Sequence, residues 1–195
     1  GLIDALEVEQ AVWVGHDWGS PVVFSVASHF PVRCQAVVSL CVPYYHLERG
    51  LNHTINLVDR SIYPEESYPA GQWDYQRYYE EHFAEATRAF DANPRATIQA
   101  LFRKGDPAGQ GLPAGTATTR RDGGWFGGLG HAPDAPLDTD VLTEADLAVY
   151  AEGLERNGFF GPDAFYMNHE ANEAFANEAL NDGRLNMPVL FLAGR

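Results

Sequence analysis

Positive charge is scarce in this chain: 13 lysines and arginines stand against 27 aspartates and glutamates, a formal net charge of −14. That balance argues against a nucleic-acid partner and against docking on an anionic membrane surface. Long hydrophobic runs are lacking too, and no apolar stretch approaches the roughly 20 residues that a bilayer span requires. Cysteine occurs only at Cys34 and Cys41, close together beside one short strand. A disulfide is not expected there, and the usage fits a reduced, cytoplasmic protein. There is no internal repeat. The first residue is Gly1, inside what reads as a helix, so the chain is expected to be an internal piece of a longer one, and a missing signal peptide excludes nothing.

What is present is a chain of 195 residues, 45% hydrophobic, enough for a core of ordinary domain size. Leu2, Ile3, Leu6 and Val8 read as the end of an amphipathic helix leading into a strand, Ala11–Gly15. A tight turn follows, then a helix with Pro21 in its first turn and an apolar face of Val22, Val23, Val26, Ala27 and Phe30. Pro31 ends it, and residues 35–42 (QAVVSLCV) read as a second strand. Both strands are nearly continuous apolar runs, which predicts a parallel sheet covered on both faces. From Pro43 to Arg184 the texture turns helical: 72–90 carries aromatics at helical spacing, 93–103 follows, Thr143 with Asp146 makes a helix-start box running to Gly158, and a last helix spans 162–180. Residues 105–138, rich in glycine and proline, read as a long loop. Residues 187–193 (MPVLFLA) return to a buried strand. The expected organisation is an α/β core over 1–45, a mostly helical insertion over 46–184, and a return to the core over 185–195.

The turn between the first strand and helix reads Gly15-His16-Asp17-Trp18-Gly19. Gly-x-Asp-x-Gly in that setting is a nucleophile elbow with aspartate in place of serine. Small flanking residues suit a strained turn with a helix passing behind it, and the helix N-terminus favours an anion. The plainer reading is a helix cap, with the glycines serving only the turn.

On these residues the chain resembles the α/β-hydrolase family, and within it the soluble epoxide hydrolases. VGHDWGS is similar to their elbow, and VVSLCVPY to the strand and turn that follow it. WDYQRYYEEHFAEA, with Tyr75, resembles the first lid segment of those enzymes; GFFGPDAFYMNHEANEAF, with Tyr166, resembles the second. The resemblance covers essentially the whole chain and fits the loop 105–138 least well. It implies the α/β-hydrolase fold: a partial parallel core sheet with an inserted helical cap. It also implies that Asp17 is the nucleophile, that Tyr75 and Tyr166 donate to the epoxide oxygen, and that the backbone N–H of Trp18 serves the oxyanion. His16 and Trp73 are expected to line the substrate pocket. Taken without the elbow, either tyrosine reads more simply as packing on a helix face.

The chemistry suits these side chains. A carboxylate of ordinary acidity, pKa about 4, is already ionised at neutral pH and needs no activating base to attack saturated carbon. Phenols, pKa about 10, can donate to the opening ring oxygen while themselves neutral. The expected ligands are a small apolar epoxide and water, with no cofactor and no metal; the sequence does not speak to oligomeric state. Hydrolysis of the resulting ester requires a histidine and an orienting acid. Both are expected beyond Arg195, so the chain by itself is expected to be inactive. His16 abuts the nucleophile but is expected to project away from it. His169, one turn beyond Tyr166, reads as a helix-surface residue, and the other histidines have no motif around them. Two alternatives remain open: a haloalkane-type dehalogenase sharing the aspartate elbow, and a catalytically incomplete hydrolase-fold chain.

Overall fold

The computed structural model describes residues 1–194. In chain order its α-helices and its strands are α1 (Leu2–Ala5), β1 (Ala11–His16), α2 (Gly19–His29), β2 (Cys34–Leu40), α3 (Gly50–Asn56), α4 (Asp74–Asp91), α5 (Pro94–Leu101), α6 (Glu144–Asn157), α7 (Phe160–Asp163), α8 (His169–Ala176) and β3 (Val189–Leu192). The chain divides into two compact units, one of Gly1–Asn56 with Asn168–Arg195 and the other of Leu57–Met167. These divisions fall eleven or more residues away from the 45/46 and 184/185 boundaries expected from the sequence. α3 and α8 account for the difference, because they pack on each other and on the turn after β2.

In the first unit β1, β2 and β3 form a parallel sheet in that order, with Val14 opposite Val38 and Val38 opposite Leu190. Helix α2 makes the crossover that two parallel neighbours need. It lays Val23, Phe24 and Ala27 against Cys34 and Val37 of the sheet. Burial of a side chain the size of Phe24 contributes roughly 1.5–3 kcal/mol. Trp13 closes one end, its indole N–H donating to the Arg33 carbonyl (3.1 Å). The same sheet is open elsewhere: Val12, Val14 and every residue of β3 are exposed. The apolar runs are strands as expected, but the coverage of both faces and the burial of the last strand are not found among the described residues.

The second unit is built on α4. Its core joins Tyr78, Tyr79, Ala86 and Phe90 of α4 to Ile98 of α5, Leu147 of α6 and Phe159. Local signals set the helix ends. Asn93 accepts from the Ala96 N–H ahead of α5, with Pro94 in the first turn where its missing N–H costs nothing. Thr143 and Asp146 form the expected capping box of α6. Residues 105–138 form a loop with short 3₁₀ turns, as expected. Arg120 anchors it, pairing with the buried Asp74 at the start of α4 (2.6 Å) and with Glu81 (3.0 Å). Gly124 lies where any β-carbon would meet the Tyr78 hydroxyl at 2.7 Å, so the loop backbone rests directly on α4. The single helix expected over 162–180 is instead α7, a 3₁₀ turn at Ala164–Met167, and α8.

Candidate active site

The singled-out residues divide between the units: His16, Asp17 and Trp18 in the first, Trp73, Tyr75 and Tyr166 in the second.

The elbow is built from backbone. Asp17 sits at φ +50°, a left-handed conformation that costs most side chains about 1–2 kcal/mol. Three bonds hold it there. The Asp17 N–H donates to the Leu40 carbonyl (3.2 Å), the Ser20 N–H to the Asp17 carbonyl (2.9 Å), and the Ser20 hydroxyl to the Gly15 carbonyl (3.1 Å). A β-carbon at Gly15 would lie 2.3 Å from the Gly19 carbonyl oxygen, so only glycine lets the helix pass so close behind the strand. At Gly19 a β-carbon would meet nothing within 4 Å. The expected demand for a small residue therefore holds on one side of the turn only. The capping alternative also meets a difference: the N-cap position of α2 is Trp18, and it carries no side-chain capping bond. The Asp17 carboxylate is exposed, and its Oδ1 accepts from the Trp18 backbone N–H at 2.7 Å.

Around the elbow, His16 is exposed at the end of β1 opposite Leu40. His169 departs from expectation. It is buried, 5% exposed, at the start of α8, with its ring 6.4 Å from the Trp18 ring. Tyr166 belongs to the 3₁₀ turn Ala164–Met167, outside α8, so helical spacing between it and His169 does not apply.

In the second unit Tyr75 and Tyr166, remote in sequence, meet edge to face, centroids 5.4 Å apart at 77°. Tyr75 lies in the first turn of α4, and Trp73, in the 3₁₀ turn just before, is 6.5 Å away ring to ring. Trp125, from the glycine-rich loop, packs on the other side of Tyr75 at 5.3 Å. Tyr79 stacks flat on Tyr166 (4.6 Å, 3°). The fully buried Gln76 donates from Nε2 to the Tyr75 hydroxyl oxygen at 2.9 Å, while its Oε1 and the Trp125 indole N–H have no hydrogen-bond partner among the described residues. A phenol oxygen that accepts a hydrogen bond is a better donor through its own proton. Below this cluster Asp163 is buried and takes hydrogen bonds from Tyr79 (3.1 Å) and Thr87 (3.1 Å). Burial pushes its carboxyl up to about 6, against the pull of those two donors.

Gln76, Tyr79, Trp125 and Asp163 were not singled out from the sequence. Gln76 carried a weak signal, an amide amid the aromatics of α4; Trp125 lay in the loop least open to interpretation.

Comparison with known proteins places these features in context. A family model described as the alpha/beta hydrolase fold matches residues 2–100. The bifunctional epoxide hydrolase 2 of Mus musculus is 30% identical over 192 residues, covering 98% of this chain and 31% of that protein. Epoxide hydrolase B of Mycobacterium tuberculosis is 26% identical, covering 100% of this chain and 60% of its own length. Among solved structures, epoxide hydrolase A of Mycobacterium thermoresistibile superposes with a TM-score of 0.68 at 28% identity, over 100% of this chain and 56% of that one. The chain thus spans under a third of the mouse relative and little more than half of the mycobacterial ones.

Proposed function

From the premise that this chain belongs to the α/β-hydrolase fold family, we propose that the protein carrying it opens epoxides to vicinal diols through an ester on Asp17. In this reading residues 57–167 are the cap and Asp17 supplies the nucleophile. One carboxylate oxygen attacks a ring carbon, the ring C–O bond breaks, and the developing alkoxide takes a proton from a phenol, Tyr75 or Tyr166. The other oxygen, Oδ1, becomes the ester carbonyl. The Trp18 N–H that already bonds it stabilises the oxyanion when water adds to the Asp17 carboxyl carbon. Collapse expels the diol and restores the carboxylate, one of whose oxygens now comes from water. The histidine that activates this water, and the acid that orients it, are assigned to residues outside the set described above.

The convergence of Tyr75 and Tyr166 carries this reading. An aspartate elbow serves carbon–halogen cleavage equally well, whereas two adjacent phenols are suited to a leaving group that departs as alkoxide. The test is a single turnover of a styrene-oxide-like substrate in heavy-oxygen water with the full-length protein. The first diol released should be nearly free of label, and the label should reside in the peptide containing Asp17. Full labelling of the first diol sinks the ester. Halide release from haloalkanes with no diol formation transfers the elbow to a dehalogenase, and no reaction with either class leaves a non-catalytic chain.

A further inference from the structure

Asp163 is a buried carboxylate beside the tyrosine cluster that the proposed reaction does not use. It is 3% exposed, and each of its oxygens accepts one hydrogen bond from α4: Oδ1 from the Tyr79 hydroxyl and Oδ2 from the Thr87 hydroxyl, both at 3.1 Å. No cation pairs with it among the described residues, and the charge of Asp91, which also acts on it, is of the same sign. Burying a carboxylate in this way is costly, and an apolar side chain of similar volume would pack α7 on α4 more cheaply. What an apolar contact could not supply is direction.

The geometry downstream of Asp163 shows where that direction is used. Asp163 ends α7, and the 3₁₀ turn that begins at the next residue carries Tyr166. Tyr79 is 1% exposed, and its ring lies parallel to the Tyr166 ring while its hydroxyl is tied to Asp163. One side chain therefore links the carboxylate to the tyrosine three residues further on, by a hydrogen bond at one end and a stacked face at the other. Stacked rings slide over one another with little penalty, whereas a hydrogen bond to a buried carboxylate fixes the phenol's axis. A second carboxylate on α4 holds the other end of the segment: Asp91 accepts from the Phe159 backbone N–H at 2.8 Å. Burial and the Asp163 charge both push the Tyr79 phenol well above its ordinary range, so it stays a donor under all ordinary conditions.

We propose that Asp163 is a positioning residue for Tyr166, setting the plane and reach of that ring through Tyr79, with Thr87 holding the second carboxylate oxygen. Its importance for turnover rests on the reading of Tyr166 as a proton donor; its effect on the ring does not.

The test separates the two. In the full-length protein, Asp163→Leu removes both acceptors at similar volume, Asp163→Asn keeps an acceptor for Tyr79, and Tyr79→Phe keeps the stacked ring but loses the tie. A 3-fluorotyrosine introduced at position 166 reports the ring by ¹⁹F resonance. Asp163→Leu and Tyr79→Phe are expected to shift and broaden that resonance, and Asp163→Asn to leave it near the wild-type position. In turnover, Asp163→Leu is expected to lower kcat about tenfold with KM little changed, and to have no further effect in a Tyr166→Phe background. Asp163→Asn restores the rate. Should Asp163→Leu fail to fold, Tyr79→Phe carries both readouts. An unmoved ¹⁹F resonance in a folded variant overturns the proposal, and so does an equal loss of kcat in the Tyr166→Phe background, which marks a general structural role. If Tyr166→Phe itself leaves turnover intact, the proton-donor reading falls, and the positioning role stands or falls on the resonance alone.

Discussion

The elbow and the tyrosine cluster are held together in opposite ways. Asp17 is presented mainly by neighbours in the chain: a strand, a left-handed residue and a helix start, tied by short-range hydrogen bonds, by one backbone bond to Leu40 of the adjacent strand, and by the absence of a side chain at Gly15. Tyr75 and Tyr166 are presented by strangers. α4, the glycine-rich loop and the turn after α7 each contribute a ring, and the contacts between them are made by side chains. A site of the first kind is rigid because the backbone has no alternative; one of the second kind is only as well placed as its supporting contacts make it.

The sharpest way to break that comparison is at the two glycines of the elbow. Gly15→Ala is expected to cost more than about 4 kcal/mol or to prevent folding, because the new β-carbon collides with backbone that cannot move aside. Gly19→Ala, in open space, should stay within about 1 kcal/mol of wild type by denaturant titration. Equal effects at both positions would mean that the elbow does not depend on close approach at Gly15.

At the cluster the largest effects belong to rate rather than fold. Tyr166→Phe is expected to slow diol formation by about 10²-fold, equivalent to roughly 3 kcal/mol of barrier, with a melting temperature close to wild type. Tyr75→Phe should behave alike, and the double variant should be slower than either. Steady-state kinetics on the full-length protein decide this; a double variant as fast as the wild type would return both tyrosines to packing.

A smaller effect concerns pH. The Asp163 carboxyl, raised to about 6 in the fold against about 4 in an unfolded chain, binds its proton more tightly when folded. Its contribution therefore favours the fold below about pH 4 and is lost as pH rises through about 6. Relative to Asp163→Asn, which does not titrate, the wild type is expected to lose about 2 kcal/mol of stability between pH 4 and pH 7. A difference independent of pH over that window, read by denaturant titration, would refute the raised value. Smaller again is the loop anchor. Arg120→Ala takes the guanidinium away from Oδ1 of the buried Asp74, while the backbone N–H of residue 120 still serves Oδ2, and should cost about 1–2 kcal/mol, discounted because the arginine is partly exposed.

How much was legible varied with how local the feature is. The strand–turn–helix around Asp17, the capping box at Thr143 and Asp146, and the extents of α4 and α5 follow largely from local sequence, and the structure places them within a residue or two of expectation. Tyr75 and Tyr166 were singled out through resemblance to the soluble epoxide hydrolases, since nothing in the spacing of either tyrosine distinguishes it from a packing residue. Their adjacency became visible only in the folded unit. The single helix expected over 162–180 breaks at Ala164–Met167, and with it went the placement of His169, which is buried instead of exposed. Asp163 gave no signal because a carboxylate at the end of a short helix ordinarily faces water.

The order of residues along the chain was enough to predict the strand–turn–helix around Asp17, since sterics and hydrogen bonding among near neighbours leave that segment few conformations, and the neighbouring strand adds a bond from the Leu40 carbonyl. Tertiary structure alone decided which of nine tyrosines stand together, and that a lone acid should be buried beneath them. Those outcomes depend on contacts between segments far apart in sequence, whose free energies exist only once the whole unit has packed.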